Sequence, residues 1–162
     1  MGMSGEWLRV TPAELERAKG DLGWLREFSD AMAERDRVQA RPVGLRRFLG
    51  TGKTFHALDF LLTRYGFPVG LVFGEHDLGD EVDGRRYLAP DQVRTAAAAL
   101  TDVTHDGLVD GVDQAELSAA GIYPAVWDRP DELWWAVSSL ADTKVYFAAA
   151  ARSGDAVICW AV

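Results

Sequence analysis

A chain of 162 residues, 48% apolar and 26% charged, has the size and balance of one globular domain with a substantial core. Its formal net charge of −8 excludes general affinity for nucleic acid or for anionic membranes. No apolar run approaches the roughly 18 residues of a membrane span, and the start shows no basic region followed by an apolar signal segment. The lone Cys159 has no disulfide partner, so a reducing cytoplasm is the expected compartment.

In chain order, Gly5 to Val10 (GEWLRV) reads as a first strand. Thr11, Pro12 and Glu14 form the start of a helix, with Thr11 as cap, Pro12 at the first helical position and Glu14 completing a capping box. Helical periodicity runs through Leu15 and Ala18, breaks around Gly20 to Gly23, and resumes from Trp24 to about Ala33. Glu34 to Arg47 holds five arginines against Glu34 and Asp36, the composition of a solvated connector or of a basic docking patch.

Gly52-Lys53-Thr54 then matches the last three letters of the phosphate-binding pattern G-x-x-x-x-G-K-[ST]. The first glycine of that pattern would fall at position 47, which is Arg47, and the preceding segment is proline-broken and arginine-rich rather than a buried strand. A nucleotide loop is therefore not expected. The following helix is amphipathic: Phe55, Leu58, Leu61, Leu62 and Tyr65 share one face, while Lys53, His56, Asp59 and Thr63 fall on the other, with Phe60 among them.

Gly66-Phe67-Pro68 ends this helix, and Val69 to Phe73 (VGLVF) reads as a short apolar strand. Gly74 to Gly84 is a polar, acidic loop, and Pro90 opens a helix through Val93 and Leu100. A short helical piece covers Asp106 to Val112, and Asp113 caps another from Gln114 to Ala120. Ile122-Tyr123-Pro124 is an extended break. Arg129-Pro130-Asp131 opens a last long helix to about Arg152, and Ser153-Gly154-Asp155 is its terminal turn. Ala156 to Val162 (AVICWAV) is apolar at successive positions, the mark of a central strand buried on both faces, with the N-terminal strand as its natural neighbour. The expected fold is one α+β domain over residues 1–162, with a small mixed β-sheet that includes the N- and C-terminal strands and packs against several helices.

Four stretches in order resemble the YfbM-like family of bacterial proteins, a family of unknown function. They are Met1-Gly2-Met3-Ser4-Gly5, Lys53 to Leu62 (KTFHALDFLL), Arg86 to Val93 (RYLAPDQV), and Ile122 to Asp128 (IYPAVWD) with the closing Gly154 to Val157. The resemblance covers nearly the whole chain except the arginine-rich connector. Phe55 stands where the family usually has Trp, and Asp59 where it often has a second His, so no role that needs both histidines carries over. The resemblance implies a single α+β domain and brings no established activity.

The first candidate site is Lys53, His56 and Asp59. A carboxylate three residues after a histidine can orient its ring, and a lysine one turn earlier can hold an anion. The second is Asp102 to Asp113, which matches several ligand positions of a calcium loop but ends in Asp113 rather than the usual bidentate Glu. The acidic run Glu75 to Asp83 offers oxygens without recognisable metal-ligand spacing. An aromatic cluster contains Tyr123, Trp127, Asp128, Trp134 and Trp135; the adjacent tryptophans point about 100° apart on a helix, which sends one toward a surface. Cys159 lacks an adjacent base and reads as an inert core thiol.

These readings favour a binding or protein-interaction module for an unknown protein, peptide or small-molecule partner. Its expected ligand-binding residues are Lys53, His56, Asp59, Arg86, Tyr123, Trp127 and Asp128, with no cofactor, no metal, and a homo-oligomer as one possible assembly. The alternative is a small hydrolase or transferase with His56 as acid/base and Lys53 or Arg86 holding an anionic group. A concave pocket around His56 with a second converging polar group would favour the enzyme; a flat or convex surface would favour interaction.

Overall fold

In the computed structural model, which describes residues 2–129 and 131–162, two strands distant in sequence form the middle of the sheet. β1 (Gly5–Val10) pairs antiparallel with β5 (Ala156–Ala161) along its whole length, from Gly5 opposite Ala161 to Val10 opposite Ala156. β2 (Phe48–Gly52) flanks β1, and β4 (Arg86–Leu88) and β3 (His76–Asp77) extend the other side, giving the order β2-β1-β5-β4-β3.

Alternation explains why β1 and β5 are apolar throughout. Leu8, Val10, Ala156, Ile158 and Trp160 meet Leu15, Ala18 and Leu25 of α1 (Pro12–Gly20) and α2 (Leu22–Val38) on one face. Trp7, Val157 and Cys159 enter the larger core on the other face. That core is built from α3 (Phe55–Tyr65), α4 (Pro90–Leu100), α5 (His105–Val109), α6 (Gln114–Ala119), α7 (Glu132–Ala136) and α8 (Leu140–Arg152). Within it Trp7 stacks on Tyr146 and meets Phe147 edge-on, with centroids 6.1 and 5.2 Å away. Burial pushes the Cys159 thiol up, so it stays protonated in the core. No described helix is long and apolar enough to cross a membrane.

The α+β class, both terminal strands and the central position of the last strand follow the sequence reading. The sheet is antiparallel throughout rather than mixed, because every strand pairing joins oppositely directed segments. Val69 to Phe73 is a turn and not a strand. Its buried Leu71 offers its carbonyl to the Trp7 indole N–H at 2.8 Å, and the turn closes through Gly74 N–H on Gly70 O, with Gly74 at φ +80°. The last helix is two: Val137-Ser138-Ser139 separates α7 from α8, with bonds from Ser138 and Leu140 N–H reaching back only three residues. Pro130, expected to open it, lies outside the described residues, as does Met1 of the family-like opening.

The arginine-rich connector is more ordered than its composition suggests. Its first residues finish α2, and buried Asp36 accepts the backbone N–H of Arg47 at 2.8 Å and of Phe48 at 3.0 Å. Arg47 donates through its guanidinium to Arg9 O and pairs with Glu14, closing the segment onto β1 and α1. One internal carboxylate thus organises the entry into β2.

Candidate functional site

Lys53 does not stand on the helix with His56 and Asp59. β2 runs to Gly52, whose φ of +61° turns the chain, and α3 begins at Phe55. Thr51 Oγ1 donates to Gly5 O and Thr54 Oγ1 donates to Thr51 O, so the segment is a tight turn tied to β1 and not an open phosphate cradle.

The structure gathers Lys53, His56, Asp59 and Tyr123 into one neighbourhood, joined by residues the sequence does not single out. Tyr123 N–H donates to His56 Nδ1 at 3.0 Å, and Tyr123 Oη accepts Met3 N–H at 3.0 Å. Gly2 lies so close that an added Cβ would overlap the Tyr123 hydroxyl and come within 2.7 Å of Lys53 Cε. Phe73 packs edge-on against Phe55 and His56, with centroids at 6.0 and 6.4 Å. With Phe73 37% and Met3 47% exposed, the assembly forms an aromatic outer surface. Nothing in the spacing of Met3 or Phe73 announces this role; only the docking of the N-terminal segment and the 69–73 turn creates it.

The His56 contact fixes its chemistry. A ring nitrogen that accepts an amide N–H cannot carry the proton, so the neutral ring is protonated at Nε2 and serves as a donor there. Burial raises the Asp59 carboxyl above its usual range, with the nearby His56 working in the opposite direction. Clefts of 610, 520 and 420 Å³ are lined by other residues.

Arg86 borders this neighbourhood through Gly74, donating to the carbonyls of Gly74 and Glu75 at 3.4 and 3.2 Å. Trp127 is instead a core residue, its indole N–H on Ile122 O at 2.8 Å and its ring 6.1 Å from Trp135. Trp134 is the exposed member of the adjacent pair. Asp128 lines a separate cleft of 210 Å³ beside Ser118 and Gly121.

The two acidic stretches fold away from metal geometry. His105 to Val109 is helical, Thr104 caps that helix through Gly107 N–H, and Asp113 caps the next through Ala115 N–H, so Asp102 to Asp113 does not wrap around an ion. In the loop before β4, Asp80 is buried and paired with Arg26 and Arg85. Burial works to raise its carboxyl, but the N–H groups of Asp83 and Val82 and the Arg26 charge outweigh it and hold it below the ordinary range. Among the described residues no three His, Cys, Asp or Glu side chains converge as a metal site.

The model of a family described as Domain of unknown function (DUF1877) matches residues 1–160. A crystal structure of a protein of unknown function, YfbM from Escherichia coli, shares the fold with a TM-score of 0.66 at 17% identity, covering 98% of this chain and 99% of that one. No curated protein matches.

Proposed function

The chain belongs to the DUF1877 family, a domain of unknown function, and from its own geometry we propose that it is a protein-interaction module working through the Met3–Lys53–His56–Phe73–Tyr123 surface. The observation that carries this reading is the exposed Phe73 ring set against His56, with Lys53 at the border and the Met3 backbone held on Tyr123. Exposed aromatic and methionine side chains are enriched at interface centres, and charge belongs at the rim, where Lys53 stands. The acidic net charge and the buried thiol support a cytoplasmic setting, with a protein or peptide as partner.

The enzyme alternative has less support. Nδ1 of His56 is occupied by the Tyr123 amide, so Nε2 has no free lone pair with which to act as a base. Arg86 spends its guanidinium on backbone carbonyls rather than on an open anion site.

A photo-crosslinking residue at position 73, used in cells and followed by calorimetry with the captured partner, tests the proposal. Phe73→Ala and Lys53→Ala should each weaken that complex by about tenfold, the scale of one interface anchor. Val145→Ala, on exposed α8 surface, should leave it unchanged. Equal affinity for all three variants removes the proposal.

A further inference from the structure

On the opposite face of the sheet, under α2, lies a cleft of 420 Å³ lined by Glu6, Arg26, Asp30, Phe48, Arg85 and Trp160, among others. It adjoins the 610 Å³ cleft beside the outer strand β2, the two sharing Asp30, Ala33 and Phe48. Arg26 and Arg85 both pair with Asp80 and with Asp83, at distances from 2.6 to 3.4 Å. Two guanidiniums against two carboxylates make that network neutral.

Glu6 and Asp30 stand outside it, and among the described residues neither forms an ion pair. Burial lifts the Glu6 carboxyl above its ordinary range; the Arg85 charge opposes this, the Asp30 charge adds to it, and the Trp160 indole opposes it as a hydrogen-bond donor. Arg85 carries the complementary shortage. Its side chain is only 6% exposed, its guanidinium sits 4.7 Å over the Trp160 ring, and its buried Nε–H has no acceptor. Phe48 and Trp160, 6.2 Å apart, supply apolar walls.

We propose that this cleft binds a small zwitterion of the α-amino acid class, its ammonium on Glu6 and Asp30, its carboxylate on the Arg85 Nη2 that Asp80 and Asp83 do not use, and its side chain running past Phe48. A simple anion would meet the Glu6 and Asp30 carboxylates, and a simple cation would meet the Arg85 guanidinium. Each cleft falls in the size range of small-molecule sites. This site is on the other face of the sheet from the Phe73 surface, so either can fail without the other.

The test begins with thermal shift of the whole chain against the twenty L-amino acids. The strongest binder then goes to calorimetry beside its decarboxylated amine and its deaminated acid. The amino acid should bind with one site per chain, and both analogues should bind about tenfold more weakly or worse. Glu6→Gln and Asp30→Asn should each weaken it about tenfold. Ala33→Phe, which fills the shared wall without changing charge, should abolish binding, with circular dichroism confirming that each variant is folded. The proposal is overturned if none of the twenty binds, if the amine binds as well as the amino acid, or if Glu6→Gln and Asp30→Asn bind like the parent chain.

Discussion

At the scale of single residues, two carboxylates show opposite relations to the fold. Asp59 is partly buried beside His56, and its carboxyl is raised chiefly by desolvation. A carboxyl raised in the folded state binds its proton more tightly there than in the unfolded chain, so stability falls as pH rises through the folded pKa. An asparagine side chain has no charge to desolvate. Asp59→Asn should therefore show a higher urea midpoint than the parent at pH 7, and the advantage should disappear below about pH 3, where the parent carboxyl is protonated in both states. Urea titrations at the two pH values check the sign. Asp36 is the reverse case: it is buried and satisfied by the N–H groups of Arg47 and Phe48 and by Arg35 at 3.3 Å. Asp36→Ala strands two amide donors and leaves Arg35 without its buried counter-charge, a loss of about 3 kcal/mol in the same titration at pH 7. Composition marks Asp36 only as one acid among arginines, since a side chain that bonds backbone eleven and twelve residues away leaves no periodic trace.

At the scale of elements, local signals are legible in the sequence and long-range ones are not. Thr11, Pro12 and Glu14 form the expected capping box: Thr11 Oγ1 accepts Glu14 N–H at 3.2 Å and Glu14 Oε1 accepts Thr11 N–H at 2.8 Å. Thr11→Ala should cost about 1 kcal/mol in chemical denaturation, while Thr11→Ser should cost far less because the oxygen is retained. The buried face of α3 is equally readable, with Phe55, Leu58, Leu61 and Leu62 inside, although Tyr65 at its end is exposed. β2 is not readable. Its Gly50 and Gly52 weaken any strand pattern, and its pairing to β1 rests on partners about forty or more residues away. The candidate site divides in the same way. His56 and Asp59 share a helix and their spacing brings them together, but the Tyr123 amide on His56 spans 67 positions and Met3 on Tyr123 spans 120. Trp127 stands among the expected ligand-binding residues because composition cannot tell a core indole from one that lines a groove, whereas its bond to Ile122 O places it inside.

At the scale of the whole molecule, the sheet is closed by its most distant strands, and β5 holds β1 on one side and β4 on the other. Ser4 N–H donates to Val162 O at 2.5 Å and Val162 N–H returns a bond to Ser4 O at 2.9 Å. A mutually bonded pair of this kind is what a two-residue hairpin turn connects, and Asn-Gly supplies the positive φ angles such a turn needs. Joining Val162 through Asn-Gly to Ser4 should thus convert β5 and β1 into a hairpin without disturbing their register. The chain can be opened between Glu81 and Val82, where Val82 is 79% exposed. Val82 N–H donates to Asp80 Oδ1 in the intact chain, and the new ammonium at that position keeps the bond and adds a favourable charge. The closed hairpin replaces the most distant pairing by a local one, which should speed folding. The expected permutant unfolds in one cooperative transition within about 2 kcal/mol of the parent chain, and it folds faster in stopped-flow tryptophan fluorescence. A non-cooperative transition would mean that the β1–β5 pairing depends on Gly2 and Met3, which the permutant lacks, and so on their contacts with Lys53 and Tyr123.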